Sequence, residues 1–175
     1  MADNQNALDT LIAKDAIREL GMLYSRGVDR KDGDLLRTLY TEDATDTHGD
    51  SFDGGKDAYV DFLEKSFPYM RYSGHHICNH LISVDGDTGE GEIYAIAWHV
   101  IPDGKDGWIE DTMCCRYIDR YRKEADGRWR FAKRVVTYDM RTQRPHVPHA
   151  EAVEATADAS YATLASRLFQ RGPRP

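Results

Sequence analysis

The chain has 175 residues, 41% of them hydrophobic, which suffices for one domain with a buried core and leaves no room for a second. Acidic residues outnumber basic ones by 30 to 23, and the net charge of −7 argues against a nucleic-acid partner. Because no apolar run approaches the roughly 20 residues of a membrane span and no secretory signal is visible, we expect a cytoplasmic protein that binds no membrane.

The first predicted element is a long helix. From Ala7 to about Val28, apolar residues recur at three- and four-residue steps, the period of a helix with one buried face: Leu8, Leu11, Ile12, Ala16, Leu20, Leu23 and Val28. Asp32 and Asp34 then offer N-cap oxygens to a short second helix. The stretch ATDTHGDSFDGG predicts a short hairpin, and KDAYVDFLEKSF predicts a third helix that Pro68 ends.

The second half of the chain predicts strands. Four segments are rich in β-branched and aromatic residues and are separated by the turn signals DGDTGEG, PDGKDG and EADG: residues 74–84, 91–101, 108–123 and 128–139. Such a succession predicts an antiparallel meander, and the stretch AEAVEATADASYATLASRLF predicts an amphipathic helix over about 150–169. The order predicts an α+β fold in which a curved sheet wraps around the N-terminal helices and encloses a cone-shaped pocket.

Three of the seven histidines lie in the segment RYSGHHICNHLISVDGD. A helix would stack His76 and His80 as metal ligands, but a strand separates them by roughly 13 Å, so we expect no metal. Strand alternation predicts two faces: His75, Ile77, Asn79 and Leu81 on one, His76, Cys78, His80 and Ile82 on the other. Only one of His75 and His76 can point into the pocket, and the pattern leaves open which. The three cysteines, Cys78, Cys114 and Cys115, form no C-x-x-C pair, so we expect reduced thiols.

Acid-base chemistry needs a partner for such an imidazole. A histidine can take and return a proton near neutral pH when a second group fixes its tautomer, and a carboxylate in the same pocket would suit. Asp29, at the predicted end of the first helix, is the candidate, although exposed aspartates are common there. Tyr24 lies near the buried stripe and could offer a phenol, and Arg134, in an apolar strand, would need a carboxylate partner.

Three segments in order carry a family resemblance: LYSRGVDRKDGDLLRTLYTEDA, GHHICNHLISVDGD and DGRWRFAKR. With them the sequence resembles the SnoaL-like branch of the nuclear-transport-factor-2-like superfamily, which has a cystatin-like α+β cone fold. The resemblance runs from roughly Leu8 to Asp139, and implies one domain over residues 1–175 with a core at about 8–139. Within that branch the chain is similar to bile-acid 7α-dehydratase, hexachlorocyclohexane dehydrochlorinase and scytalone dehydratase, lyases that use neither a metal nor an organic cofactor.

The resemblance also implies roles for particular residues. Asp29 and His75 match the catalytic Asp-His dyad, and His75 begins the H-x-x-x-N pattern that ends at Asn79. Tyr24 matches a tyrosine that precedes the aspartate by five residues in the bile-acid enzyme, and Arg134 matches the arginine in the family's last-strand motif. That enzyme has a further pocket aspartate on a middle strand, which the stretch IYAIAWHV lacks, and Asp111 on the next strand is a candidate substitute.

The implied ligand is a small hydrophobic cyclic compound, such as a steroid or a polyketide-like molecule. We expect five residues to bind it: Asn79, Trp98, Met113, Tyr117 and Phe131. The implied reaction is a β-elimination in which His75 removes a proton from carbon, Asp29 stabilises the imidazolium, and Tyr24 or Arg134 assists the leaving group. Two alternatives stay open: an isomerase or cyclase in the same pocket, and a non-catalytic β subunit of an aromatic-ring-hydroxylating dioxygenase. Members of this fold commonly self-associate, so we expect a homo-oligomer, a trimer or a dimer.

Overall fold

A computed structural model describes residues 2–147 and 154–174. The expected α+β order is confirmed, with helices α1 (Ala2–Asp29), α2 (Gly33–Arg37) and α3 (Lys56–Ser66). The strands are β1 (Tyr40–His48), β2 (Phe52–Gly55), β3 (Tyr72–Asp85), β4 (Thr88–Pro102), β5 (Trp108–Lys123) and β6 (Trp129–Pro145). They form one sheet in the order β2-β1-β6-β5-β4-β3, so β3 to β6 are the predicted antiparallel meander.

The β1–β2 hairpin joins this meander by a parallel pairing that sequence patterns did not predict. Residues of β1 run alongside β6, and the Cα atom of Asp46 is paired with that of Arg134. Two side chains far apart in the sequence therefore lie on neighbouring strands, deep in the fold.

Irregularities in the strand pairing curve the sheet. The β3–β4 register shifts between Ile77 and His80, and the β5–β6 register shifts twice. A bulge bends its strand and increases the local twist. The sheet therefore wraps around the helices but stays open, with β2 and β3 as its two edges.

The hydrophobic core lies between the concave face of the sheet and the helices. Helix α1 contributes a stripe of fully or nearly fully buried residues: Ile17, Leu20, Leu23, Tyr24 and Val28. The predicted stripe is wrong at its start, because Leu8, Leu11 and Ile12 are exposed by 49%, 62% and 59%. The first turns of α1 lie beside the strand-connecting turns near Gly86 and Gly127, at the ends of the strands. Within the described ranges, no helix combines the length and the apolar composition that crossing a bilayer needs.

The predicted long C-terminal helix is wrong over the residues that the structure describes. In its place are a short helix α4 (Ala159–Thr163) and two 3₁₀ turns, Ala155–Ala157 and Arg167–Phe169. The start of the predicted helix, at 150–153, lies outside the described residues.

Contacts with α1 explain this difference. Arg26 donates hydrogen bonds to Ser160 Oγ (3.0 Å) and to the carbonyl oxygen of Phe169 (2.5 Å). Arg171 donates to the carbonyl oxygens of the two residues that follow α1, Arg30 and Lys31. These bonds hold the segment in an irregular path, so tertiary contacts override its helical periodicity.

Candidate active site

The centre of the site is a hydrogen-bonded pair formed by Asp29 and His75. Asp29 is the last residue of α1, and His75 lies near the start of β3. Asp29 Oδ1 lies 2.6 Å from His75 Nδ1 and accepts a second hydrogen bond from Ser73 Oγ (2.9 Å). Its other oxygen accepts the backbone N–H of His75 at 3.0 Å. Strand β3 thus holds the carboxylate at three points.

These bonds decide the charge of Asp29 and the tautomer of His75. Burial alone would raise the pKa of Asp29, but the hydrogen bonds from His75 and Ser73 prevail and hold it below its usual value. Because a carboxylate only accepts, Nδ1 of His75 carries a proton, and in the neutral imidazole the lone pair is on Nε2. No hydrogen-bond partner of this Nε2 occurs within residues 2–147 and 154–174. The side chain of His75 is only 6% exposed.

The structure distinguishes between the two adjacent histidines. His75 points inward and His76 is exposed. Beyond them the predicted alternation fails, because the register shift between Ile77 and His80 inserts an extra residue in β3. His80 consequently lies on the inner face, where its Nε2 is 3.0 Å from the hydroxyl of Tyr121.

Because of the same extra residue, the expectation for Asn79 is wrong: its side chain is exposed and points away from the site. The expectation that Trp98 binds the ligand is also wrong. It lies on the outer face of β4, where the guanidinium of Arg144 stacks on its ring at 5.9 Å. The inner positions of β4 alternate with it and include Ala95 and Ala97.

The other three residues expected to line the cone do face inward. Tyr117 and Phe131 are 2% and 0% exposed, and Met113 packs against the core from a partly buried position. The ring of Tyr24 packs edge-on against both aromatic rings, with centroid distances of 5.8 Å to Tyr117 and 6.1 Å to Phe131. The interior is therefore apolar and aromatic around a few polar groups.

Tyr24 lies beside the dyad. Its ring centroid is 6.3 Å from that of His75, and its hydroxyl is 2.5 Å from the hydroxyl of Tyr59. Burial raises the pKa of Tyr24 above its usual value, in spite of the nearby positive charge of Arg134. The phenol consequently stays protonated at ordinary pH and can act as a donor.

Arg134 is fully buried and neutralised by Asp119. Its Nε and Nη2 donate to the two carboxylate oxygens at 2.8 and 2.7 Å, and both side chains have no exposed surface. The guanidinium also stacks against aromatic rings, 4.0 Å from the centroid of Phe131 and 4.3 Å from that of Tyr24. Burial opposes the charge, but Asp119 holds the pKa of Arg134 well above its usual value. Its Nη1 is buried and has no hydrogen-bond partner in the described part of the chain.

Sequence reasoning missed His99, which faces inward beside the dyad. Its ring centroid is 5.3 Å from that of His75, and its buried Nε2 has no partner among the described residues. Burial, together with His75, lowers the pKa of His99 to about 4. Alternation from Ala95 and Ala97 was the signal that could have placed His99 on the inner face.

Asp111, the candidate substitute for the missing aspartate, is paired with His99 across β4 and β5. It binds Arg141 through two hydrogen bonds of 2.8 and 2.6 Å.

A groove of about 510 Å³ gives access to the dyad between α1 and β3. Both Asp29 and His75 line it, together with Met22, Ser25 and Ile77. Small molecules can therefore approach the imidazole from the edge of the sheet.

Comparison with known proteins gives a family match over most of the chain. The family described as a SnoaL-like domain matches residues 9–135. Curated protein sequences gave no match.

Solved structures with the same fold include three informative relatives. A candidate scytalone dehydratase from Novosphingobium aromaticivorans is 25% identical, with a TM-score of 0.69 over 87% of this chain and 97% of that chain. A candidate aromatic ring hydroxylase from the same species is 25% identical, with a TM-score of 0.67 over 78% of this chain and 94% of that chain. A type 2 hexachlorocyclohexane dehydrochlorinase is 21% identical, with a TM-score of 0.73 over 82% and 97%, a likeness that shows the fold alone. The expected nuclear-transport-factor-2-like, cystatin-like fold is thus confirmed.

Proposed function

The chain belongs to the SnoaL-like domain family, and from this premise we propose that it is a lyase that performs a dehydratase-type β-elimination on a hydrophobic cyclic small molecule. The observation that supports this best is the 2.6 Å contact between His75 Nδ1 and Asp29 Oδ1, which leaves Nε2 of His75 as a base. The similarity to a candidate scytalone dehydratase favours the same class of reaction.

In this mechanism His75 Nε2 removes a proton from a carbon beside an electron-withdrawing group. The imidazolium that forms faces the carboxylate of Asp29, whose charge stabilises it. Because Asp29 is already oriented by β3, little reorganisation accompanies the transfer. Such general-base catalysis typically contributes about 10² to 10⁴ in rate.

Two further groups assist the departing group and the developing charge. The protonated phenol of Tyr24 donates to the leaving hydroxyl, which departs as water. The free Nη1 of Arg134, buried and already charged, stabilises an oxygen that gains negative charge, for example that of a carbonyl next to the abstracted proton. The core beside these groups is aromatic, with the buried rings of Tyr117 and Phe131, and this favours an apolar ring-shaped substrate.

Two other functions make different predictions. An isomerase or cyclase would return the proton elsewhere on the substrate, so its product would keep the substrate's mass. A subunit of a ring-hydroxylating oxygenase is favoured by the similarity to a candidate aromatic ring hydroxylase. That function predicts a large subunit that copurifies with the native protein, and it gives no role to a buried dyad with a free Nε2.

The experiment is an activity screen with a matched pair of variants. Cyclic β-hydroxy ketones, including hydroxysteroid ketones, are incubated with the protein, and loss of water is read by mass spectrometry. His75→Ala should lose about 10² or more in kcat/KM, whereas His76→Ala, the exposed neighbour, should retain wild-type activity. A loss below about tenfold in His75→Ala, on a substrate that the wild type turns over, rejects His75 as the base.

A further inference from the structure

A second histidine-carboxylate pair lies on the other side of Tyr24, and the elimination proposed above does not use it. Asp46 and His48 occupy alternate positions of β1 and so share one face of that strand. The side chain of Asp46 has no exposed surface, and that of His48 is 14% exposed.

The hydrogen bonds of this pair orient His48 towards two tyrosines. Asp46 Oδ1 accepts a short hydrogen bond from His48 Nδ1, and Asp46 Oδ2 accepts one from the hydroxyl of Tyr40 at 2.8 Å. Nε2 of His48 is therefore directed at the hydroxyl of Tyr59, 3.0 Å away, and at that of Tyr24, 3.4 Å away. The ring of His48 stacks on that of Tyr59 with centroids 4.7 Å apart, which fixes its plane.

These contacts form a continuous chain of proton-carrying groups. The chain runs from Asp46 through His48 and Tyr59 to Tyr24, whose hydroxyl is 2.5 Å from that of Tyr59. Its inner end is the phenol beside His75, and both tyrosines are at most 2% exposed. Its outer end, His48, is the member that reaches solvent.

We propose that Asp46, His48 and Tyr59 form a proton relay that supplies Tyr24 with the proton it gives to the leaving group. This inference rests on the proposed elimination. Tyr24 is the catalytic residue, because it contacts the leaving group, and Asp46, His48 and Tyr59 act through it as relay and positioning residues.

The proton balance of the relay is closed. Protonated His48 gives its Nε2 proton to the oxygen of Tyr59, Tyr59 gives its own proton to Tyr24, and Tyr24 gives its proton to the leaving hydroxyl, which departs as water. His48 ends neutral, with its Nδ1 proton still bound to Asp46. Meanwhile His75 holds the proton removed from carbon. The cycle closes when His75 releases this proton to solvent and His48 takes one up, so no proton is gained or lost.

The surroundings of the relay keep both phenols neutral at rest, so they can pass a proton on but do not hold a charge themselves. Burial is the main reason that the pKa values of Tyr24 and Tyr59 lie above their usual range, so neither phenol ionises at rest. The charged groups nearby are Asp46 on β1 and Arg134 on β6, whose Cα atoms are paired. Asp119 on β5 neutralises Arg134, so a protonated His48 has its counter-ion, Asp46, on its own strand.

The first test of the relay needs no substrate. In protein labelled with ¹³C at Cζ of tyrosine, in equal parts of H₂O and D₂O, a rapidly exchanging hydroxyl gives one averaged Cζ line and a slowly exchanging one gives two. We expect one line for Tyr24 in the wild type, because His48 connects it to solvent, and two lines in His48→Gln. His75→Gln is the matched control and should keep one line. Two lines in the wild type, or the same pattern in wild type and His48→Gln, would overturn the relay.

The second test separates the relay from the elimination itself. Cyclic β-hydroxy ketones and their β-chloro counterparts differ in the leaving group, and chloride departs without a proton. His48→Gln should slow loss of water by about 10² or more and change loss of chloride less than about threefold, whereas His75→Ala should slow both. Equal effects of His48→Gln on the two substrates exclude the relay and leave the elimination standing. An undiminished rate in His75→Ala rejects the elimination.

A second variant distinguishes loss of the relay from a folding defect in both tests. Asp46→Asn keeps the size of the buried side chain and should reproduce the NMR pattern and the leaving-group selectivity of His48→Gln. Thermal unfolding checks that each variant is folded. Wild-type behaviour in folded Asp46→Asn would remove Asp46 from the relay.

Discussion

Asp29 Oδ1 lies 2.6 Å from Nδ1 of His75, although 46 positions separate the two residues in the sequence. The carboxylate is held by the strand and not by the imidazole alone, because the hydroxyl of Ser73 and the backbone N–H of His75 bind it as well. Both partners lie on regular elements, α1 and β3. Side chains placed in this way keep their mutual geometry without a ligand.

The first prediction concerns the tautomer of His75. In Asp29→Asn, the amide can donate to Nδ1 and so favour the tautomer whose proton is on Nε2, where the base is needed. We expect kcat for elimination to fall by about 10² to 10⁴, with the fold retained by circular dichroism.

A double variant tests whether the two residues act as one unit. Asp29→Asn added to His75→Ala should cost little beyond His75→Ala alone, because the base is already missing. If the two losses instead multiply, the residues act independently and the dyad assignment fails.

The second prediction concerns stability against pH. Burial, together with His75, lowers the pKa of His99 from 6.5 to about 4. The unfolded chain therefore binds a proton between these pH values that the native chain does not, so the free energy of unfolding falls as the pH drops through this window. The loss approaches about 1.4 kcal/mol per pH unit for this residue.

Urea unfolding between about pH 7 and pH 5 measures this effect, above the range in which carboxylates titrate. His99→Asn should flatten the dependence, whereas the exposed His76→Asn should not. Burial also lowers the pKa of His80 to about 4, but His80 is partly exposed, so its share should be smaller. An unchanged slope in His99→Asn would contradict the assignment.

Local patterns predicted the helices and strands as far as β6, and they placed Tyr24 and Asp29 of the site. The cap of α2 was predictable, since Asp32 Oδ1 does accept the N–H of Leu35 at 3.1 Å. Periodicity likewise placed Tyr24 on the buried side of α1 and Asp29 at its end. Such features depend on residues that are close in the sequence, so the sequence alone can predict them.

Features that depend on the partner strand were not predictable. The extra residue in β3 exists only relative to β4, and it reverses the faces of Asn79 and His80. The parallel pairing of β1 with β6 leaves no local signal, yet it brings Asp46 alongside Arg134. The polar network around His48 therefore became visible only in three dimensions, since the sequence predicted no more than a short hairpin for this stretch.

The third prediction concerns the buried ion pair of Asp119 and Arg134. Neither side chain has exposed surface, so removal of one partner leaves an unpaired charge in the core. We expect Asp119→Ala to lower the free energy of unfolding by about 3 to 5 kcal/mol. Combining it with Arg134→Met should restore part of that loss, because the double variant buries no unpaired charge. Urea unfolding measures both, and a double variant less stable than Asp119→Ala would contradict this account.

The last prediction compares two glycines of the β3–β4 hairpin. A Cβ atom at Gly91 would lie 2.6 Å from the carbonyl oxygen of Leu81 and 3.2 Å from Nε2 of His80, and the backbone oxygen cannot move aside cheaply. Gly91→Ala should therefore cost about 1 to 3 kcal/mol of unfolding free energy by overpacking. Gly86 has φ of +56° and open space around it, so Gly86→Ala should cost only the backbone strain of about 1 to 2 kcal/mol. Because the clash at Gly91 reaches His80, Gly91→Ala should also shift the ring resonances of His80 and Tyr121 in NMR spectra, and Gly86→Ala should not. Unshifted resonances in Gly91→Ala would mean that β3 and β4 are spaced more widely than the hairpin register requires.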